Sequence, residues 1–150
     1  MLTLSIVTPV FSISKQTLFP LETCILFQKT EEAWLEPLAF DPAYLNAMIF
    51  TTLDYFDFMR HRNRCTVSQR TLPHFVKALR LLRERLLHEN DQALTTPTVS
   101  AILVLAAHAN FVGDFESAKH HLGGLCKIVS LRGGMATFKD NAKLLVEILR

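Results

Sequence analysis

Thr96-Pro97-Thr98-Val99-Ser100-Ala101-Ile102-Leu103-Val104-Leu105-Ala106-Ala107-His108-Ala109-Asn110-Phe111-Val112-Gly113 is the stretch that decides the fold. A threonine able to accept backbone N–H bonds followed by proline opens a helix, and glycine closes one. Between them the residues are apolar nearly all round, which marks a helix surrounded by others rather than one lying on a surface. The run is broken by Ser100, His108 and Asn110. It is also shorter than the roughly 20 apolar residues that a membrane crossing needs. Its alanines, Ala101, Ala106, Ala107 and Ala109, leave room for neighbouring helices to come close.

Working outward, the same punctuation recurs. Asp41-Pro42 opens a helix in which Leu45, Met48, Ile49, Leu53, Phe56 and Met59 repeat at three- and four-residue spacing. Tyr44, Phe50, Tyr55 and Phe58 widen its apolar surface, so this helix also belongs between neighbours. From near Ser68 to His88, Leu72, Phe75, Val76, Leu79, Leu82 and Leu86 form one face and Lys77, Arg80, Glu84 and His88 another, with Pro73 in the first turns. Asn90 to Thr95 reads as a loop. Asp114 is placed to cap a helix carrying Phe115, Ala118, Leu122, Leu125 and Val129 inward as far as Arg132, where Gly133-Gly134 breaks it. A last helix from about Lys139 carries Ala142, Leu144, Leu145, Ile148 and Leu149. Residues 1–30 have no sustained helical period and are read as an irregular segment, with Pro9 and Pro20 as breakers; Glu31 to Leu38 suits a short helix with Trp34 and Leu35 turned inward. The expected architecture is all-α, about five helices in an antiparallel bundle-like array over residues 31–150.

Composition agrees with a single globular domain. The chain has 150 residues, 49% hydrophobic and 20% charged, with 5 glycines and 6 prolines. That length buries roughly two thirds of the unfolded surface in one core. A formal net charge of +2 gives no electrostatic case for nucleic acid or an anionic membrane. Cys24, Cys65 and Cys126 are odd in number and far apart, which suits reduced, buried thiols of the cytosol or nucleus better than a disulfide framework or zinc site. The apolar N-terminus lacks the basic start and cleavage site of a secretory signal. A mean hydropathy of +0.22 is high for such a domain, and fits a membrane segment, a large partner surface or a piece of a larger helical unit.

No nucleophile elbow, phosphate loop, dinucleotide fingerprint or zinc-protease helix appears in the sequence, and no catalytic, cofactor-binding or metal-ligating residue is assigned. His120-His121 are adjacent, so on a helix they point about 100° apart and do not share a ligand readily. His108 reads as a hydrogen-bonded core histidine, and Asp54 with Asp57 as a polar helix edge. Arg60, His61, Arg62 and Arg64 follow a helix end, where cations offset the negative end of the helix dipole. Gly123-Gly124 inside a helical pattern costs about 1 kcal/mol per glycine relative to alanine. Close packing against the Val99 to Val112 helix is the expected reason. Leu131-Arg132-Gly133-Gly134 reads as a helix stop with a left-handed glycine and Arg132 near the last carbonyls.

Ser117-Ala118-Lys119-His120-His121-Leu122, then Gly124-Leu125, then Ile128-Val129-Ser130-Leu131-Arg132-Gly133-Gly134, resemble a segment of the helical regulatory region of fungal transcription factors. Asp41-Pro42-Ala43 and the helices around Leu79 to Leu87 and Thr98 to Ala107 fit in order and spacing, so the resemblance covers residues 31–150. The residues matching the motif are His121, Leu122, Gly124, Leu125, Leu131, Arg132, Gly133 and Gly134, and their expected role is structural. That family holds a zinc cluster with six cysteines to bind DNA; with three dispersed cysteines this sequence has none. The resemblance therefore implies a nuclear, non-enzymatic regulatory domain, a free-standing relative or a truncated product. It would act through a protein partner, self-association or a small-molecule effector, without direct nucleic-acid contact and away from membranes; without the resemblance a cytoplasmic location is expected. The alternative reading is a small-molecule-binding helical bundle with no transcriptional role, its pocket lined by the aromatic residues between Tyr44 and Met59. An enzyme using His108, His120 or His121 as base is a third.

Overall fold

The computed structural model describes residues 40–60, 69–87 and 94–139, together with Asn141, Leu144, Leu145 and Ile148. The expectations for residues 1–30 and 31–38, for Arg62 and Arg64, and for Cys24 and Cys65 lie outside the described residues. Among those described, every regular element is helical. The α-helices are α1 (Pro42–Arg60), α2 (Leu72–Leu87), α3 (Thr96–Phe111) and α4 (Phe115–Leu131), followed by a 3-10 turn at Met135–Phe138 and by helical positions at Leu144, Leu145 and Ile148. None of these helices is long and apolar enough to cross a membrane.

Each junction follows from its local sequence. Asp41 caps α1, its Oδ1 accepting the Tyr44 N–H at 2.9 Å and its carbonyl accepting that of Leu45. The cap of α3 is Thr95 rather than Thr96, which places Pro97 second in the helix. Two six-residue helix closures complete the remaining junctions. At the end of α3, Gly113 has φ +81 and its N–H bonds Asn110, while the Asp114 N–H bonds Ala109. Asp114 then caps α4 by accepting the Ser117 N–H, so one residue closes a helix and opens the next. At the end of α4 the Gly133 N–H bonds Ser130 and the Gly134 N–H bonds Val129, with φ of +102 and +89. Asn141 starts the last helical stretch by accepting the Leu144 N–H on Oδ1.

α1 packs against α2 and α3, and α3 packs against α4, so α1 and α3 are central as their all-round apolarity predicts. The core is one cluster. Ala43, Ala47, Met48 and Phe50 of α1 meet Ala78 and Leu82 of α2, Val99, Ala101, Ile102 and Leu105 of α3, Leu125, Ile128 and Val129 of α4, and Phe138 and Leu144 beyond. Phe50 lies 4.7 Å from the Phe75 ring, and the rings of Tyr55 and Phe58 each lie 5.0 Å from Phe111. The C-terminal part of α1 is more open, with Phe56 and Met59 exposed, and on α3 Ala107 faces outward although its fellow alanines are buried.

On α2 the buried face is not the one that its apolar residues predict. Thr71, Ala78 and Leu82 point inward with half-buried His74, Phe75 and Arg85, whereas Leu72, Val76 and Leu86 are exposed. The helix is turned by roughly a quarter turn from the expected face. Polar ties explain it. Arg85 Nη1 pairs with Asp41 Oδ2 at 2.8 Å and donates to Thr98 Oγ1, and His74 Nδ1 meets Asn46 Oδ1 at 3.0 Å. A half-exposed leucine forgoes roughly 1 kcal/mol of burial. Separating an ion pair as buried as Asp41 and Arg85 costs roughly 3–5 kcal/mol, so the charged pair sets the face.

Candidate functional site

Two groups of residues are drawn together by these helices. The first is polar and internal. Asp54 of α1 and His108 of α3 meet at 2.9 Å between Oδ2 and Nε2, with side chains 13% and 10% exposed. The Phe50 ring packs on the imidazole at 4.6 Å. His108 is thus the hydrogen-bonded core histidine expected of it, but Asp54 is not a polar helix edge: it turns inward to serve that histidine. An imidazole paired with a carboxylate is the arrangement of an oriented general base. Here Asp54 pairs with the Nε2 nitrogen, the Phe50 ring stands tilted against the imidazole, and the pair ties α1 to α3. Along α1 the pairs Asp41–Arg85, Asn46–His74 and Asp54–His108 form three such ties, to α2, α2 and α3. Thr52 is different: its Oγ1 is buried with no hydrogen-bond partner among the described residues, at a cost of about 1–3 kcal/mol.

The second group is the motif segment of α4, which the structure divides into two halves. Its inner half is structural. Leu125 lies in the core with Ile128 and Val129, and Gly133 and Gly134 supply the positive-φ closure. The Arg132 guanidinium sits 4.3 Å over the Phe138 ring and reaches Thr96 Oγ1 at 3.4 Å. It thereby fastens the segment after α4 to the start of α3, rather than lying near the last carbonyls as expected. His121 is half-buried, and desolvation holds its imidazole below the ordinary pKa, against the pull of the Asp114 carboxylate and with a further push from His120.

The outer half is a surface. Leu131 is 75% exposed, Phe115 68% and Leu122 47%, although the helical period assigned Phe115 and Leu122 to the core. Helix α4 buries Ala118, Leu125, Ile128 and Val129; Phe115 and Leu122 lie along one edge of that face, and Leu131 lies about half a turn round from Leu122. Gly123 and Gly124 have no described atom within 4 Å of where a Cβ would stand, so the expected close packing against α3 is not what offsets their cost. Cys126 is exposed, not a buried thiol, and lines a shallow open groove with Lys127, Ser130 and Leu131. His120 is exposed. Among the described residues no three His, Cys, Asp or Glu side chains are grouped to hold a metal ion.

Sequence reasoning found the motif and its glycine closure but not the three polar ties, whose partners lie far apart in the chain. The available signal was chemical: an aspartate or asparagine on a helix that is apolar nearly all round must find a partner when buried. Comparison of the chain with protein-family models, with curated proteins and with solved structures finds no match.

Proposed function

We propose that this chain is a non-enzymatic regulatory domain of the kind found in the middle region of fungal transcription factors. On this reading it is a five-helix, antiparallel bundle-like array that works in the nucleus by contacting another protein, not by touching DNA itself. The observation that carries the reading is the outer half of α4. Leu122 and Leu131 spend large apolar side chains on solvent inside the very segment whose sequence carries the family resemblance, and Phe115 does so two residues ahead of it. A segment that served only the core would bury its leucines. Leu131 stands on the same side of α4 as the open position of Gly124, two turns earlier, and suits a surface that a partner can approach closely. The aromatic residues of α1 favour this reading over the ligand-binding one, because Phe50, Tyr55 and Phe58 are each engaged by a ring of a neighbouring helix.

The test is to fuse the chain to an unrelated DNA-binding module and read a reporter gene, with and without the double substitution Leu122→Asp and Leu131→Asp. Both side chains are exposed, so the double variant is expected to keep its helix content and melting temperature. The unmodified fusion should change reporter output several-fold relative to the module alone, and the double variant should not. A fusion as inert as the bare module, or a double variant as active as the parent, sinks the reading.

A further inference from the structure

Along the outer face of α2, side chains recur at the spacing of a helix-pairing seam. Leu72, Val76, Leu79, Arg83 and Leu86 follow one another at alternating intervals of four and three residues, the period with which one helix lies along another. Leu72, Val76 and Leu86, with Leu87 beside them, are 45–68% exposed, and Leu79 is half-buried. From Leu72 to Leu86 the seam runs about 21 Å.

Arg83 stands in the middle of this seam, about 20° round the helix from each of Leu72 and Val76. Among the described residues the carboxylates nearest in sequence and space are engaged by other arginines: Glu84 by Arg80 at 3.7 Å and Asp41 by Arg85 at 2.8 Å. Lys77 and Arg80 are exposed on the flank turned away from the core, so the open border of the seam is basic.

That charge selects the occupant. A second copy of the chain fits poorly, because parallel pairing in register sets Arg83 against Arg83, and antiparallel pairing about Leu79 brings the two Arg80 side chains together. An anionic membrane would attract the basic flank but draw Arg83 into the apolar layer with Leu72 and Val76. An amphipathic helix with leucines at the same period and carboxylates along its margins meets both needs. It covers the leucines, and it supplies Arg83 with an acid that the planar guanidinium can hold by two hydrogen bonds.

We propose that the outer face of α2 docks an acidic amphipathic helix of a partner protein, laid along Leu72, Val76, Leu79 and Leu86 with a carboxylate on Arg83. The polar ties that turn His74 and Arg85 inward are what present this seam to the outside. The site lies on a different helix from the partner surface assigned to α4 and stands or falls separately from it.

The probes are two fluorescein-labelled synthetic helices of about 18 residues, long enough to span the seam with a turn to spare. Both carry leucines at alternating three- and four-residue spacing; one has glutamates at the flanking positions, the other lysines. In anisotropy titrations with the full-length chain, the glutamate peptide should bind roughly tenfold more tightly than the lysine peptide. Arg83→Glu should invert that preference. Val76→Asp with Leu86→Asp, both at exposed positions, should weaken both peptides several-fold while far-ultraviolet circular dichroism stays unchanged. Leu122→Asp with Leu131→Asp on α4 should leave both affinities as they were. Failure of the glutamate peptide to bind, equal binding of the two peptides, or a preference that survives Arg83→Glu overturns the proposal. So does a parent chain that sediments as a dimer until Val76→Asp with Leu86→Asp splits it, which gives the face to a second copy, or one that the same substitutions release from vesicles of anionic phospholipid, which gives it to a membrane.

Discussion

Asp54 occupies a position that a side chain chosen for burial alone would not, and its partner His108 is the one polar residue of α3 that is drawn to it. At 10–13% exposure the two are largely out of water, where an unpartnered carboxylate costs several kcal/mol and a paired one much less. Replacing His108 by Leu keeps the volume roughly constant but strands Asp54, so destabilisation of about 3 kcal/mol or more is expected in urea unfolding of the purified chain. Adding Asp54→Leu should recover much of that loss, because two apolar groups of suitable shape replace two satisfied polar ones with little penalty. If the double variant is no more stable than the single one, the pair is not coupled and the tie is only a surface contact. The sequence displayed both residues but not their meeting. Fifty-four positions separate them, and only the packing of α1 on α3 brings the side chains to 2.9 Å.

Helix α4 and the closure that follows it contain two kinds of glycine, and their difference belongs to the element rather than to the residues. Gly123 and Gly124 lie within the helix with no described atom within 4 Å of where a methyl group would be added, so alanine at either should simply relieve backbone entropy and raise stability by about 0.5–1 kcal/mol. Gly134, at φ +89 and ψ −174, occupies backbone space that is nearly exclusive to glycine, and its N–H completes the helix closure to Val129. Alanine there should cost about 1–3 kcal/mol. Thermal unfolding of Gly123→Ala and Gly134→Ala should therefore move in opposite directions; a loss of stability in Gly123→Ala would mean that the helix needs that glycine internally. The contrast also shows which parts of an element the sequence makes legible. Helix stops were readable because capping is local chemistry: Gly113-Asp114 and Gly133-Gly134 act within six residues of backbone. The buried face of α2 was not, because its rotation depends on Asp41 and Asn46, residues of another helix, and a periodicity count weighs leucines while ignoring the ion pair that outweighs them. The outward half of α4 escaped for a related reason: Phe115 and Leu122 keep the helical period, but the core already has Leu125, Ile128 and Val129 on the inner side.

At the scale of the whole molecule, the burial of His121 and the capping of α4 are expressed as a dependence of stability on pH. Burial holds His121 below its ordinary value of 6.5, more than the Asp114 carboxylate raises it, with His120 lowering it further. Asp114 itself is held below its ordinary 3.8, chiefly by the hydroxyl and then the backbone N–H of Ser117. Both shifts have the same sign for folding. As pH falls through 6.5 the unfolded chain protonates at His121 before the folded one does, so the unfolded state binds more protons and stability declines until the folded imidazole titrates too. Below 3.8 the unfolded chain protonates Asp114 while the folded cap still resists, and a second decline follows as the cap is lost. The melting temperature should therefore be highest above pH 6.5 and fall in two stages on acidification. His121→Gln, which keeps a polar side chain but cannot titrate, should flatten the first stage between pH 6.5 and 3.8 and leave the second in place. The measurement is the melting temperature of both proteins across that range at constant ionic strength. Parallel curves would show that His121 is as hydrated in the fold as out of it, and that α4 does not press this residue against the rest of the molecule.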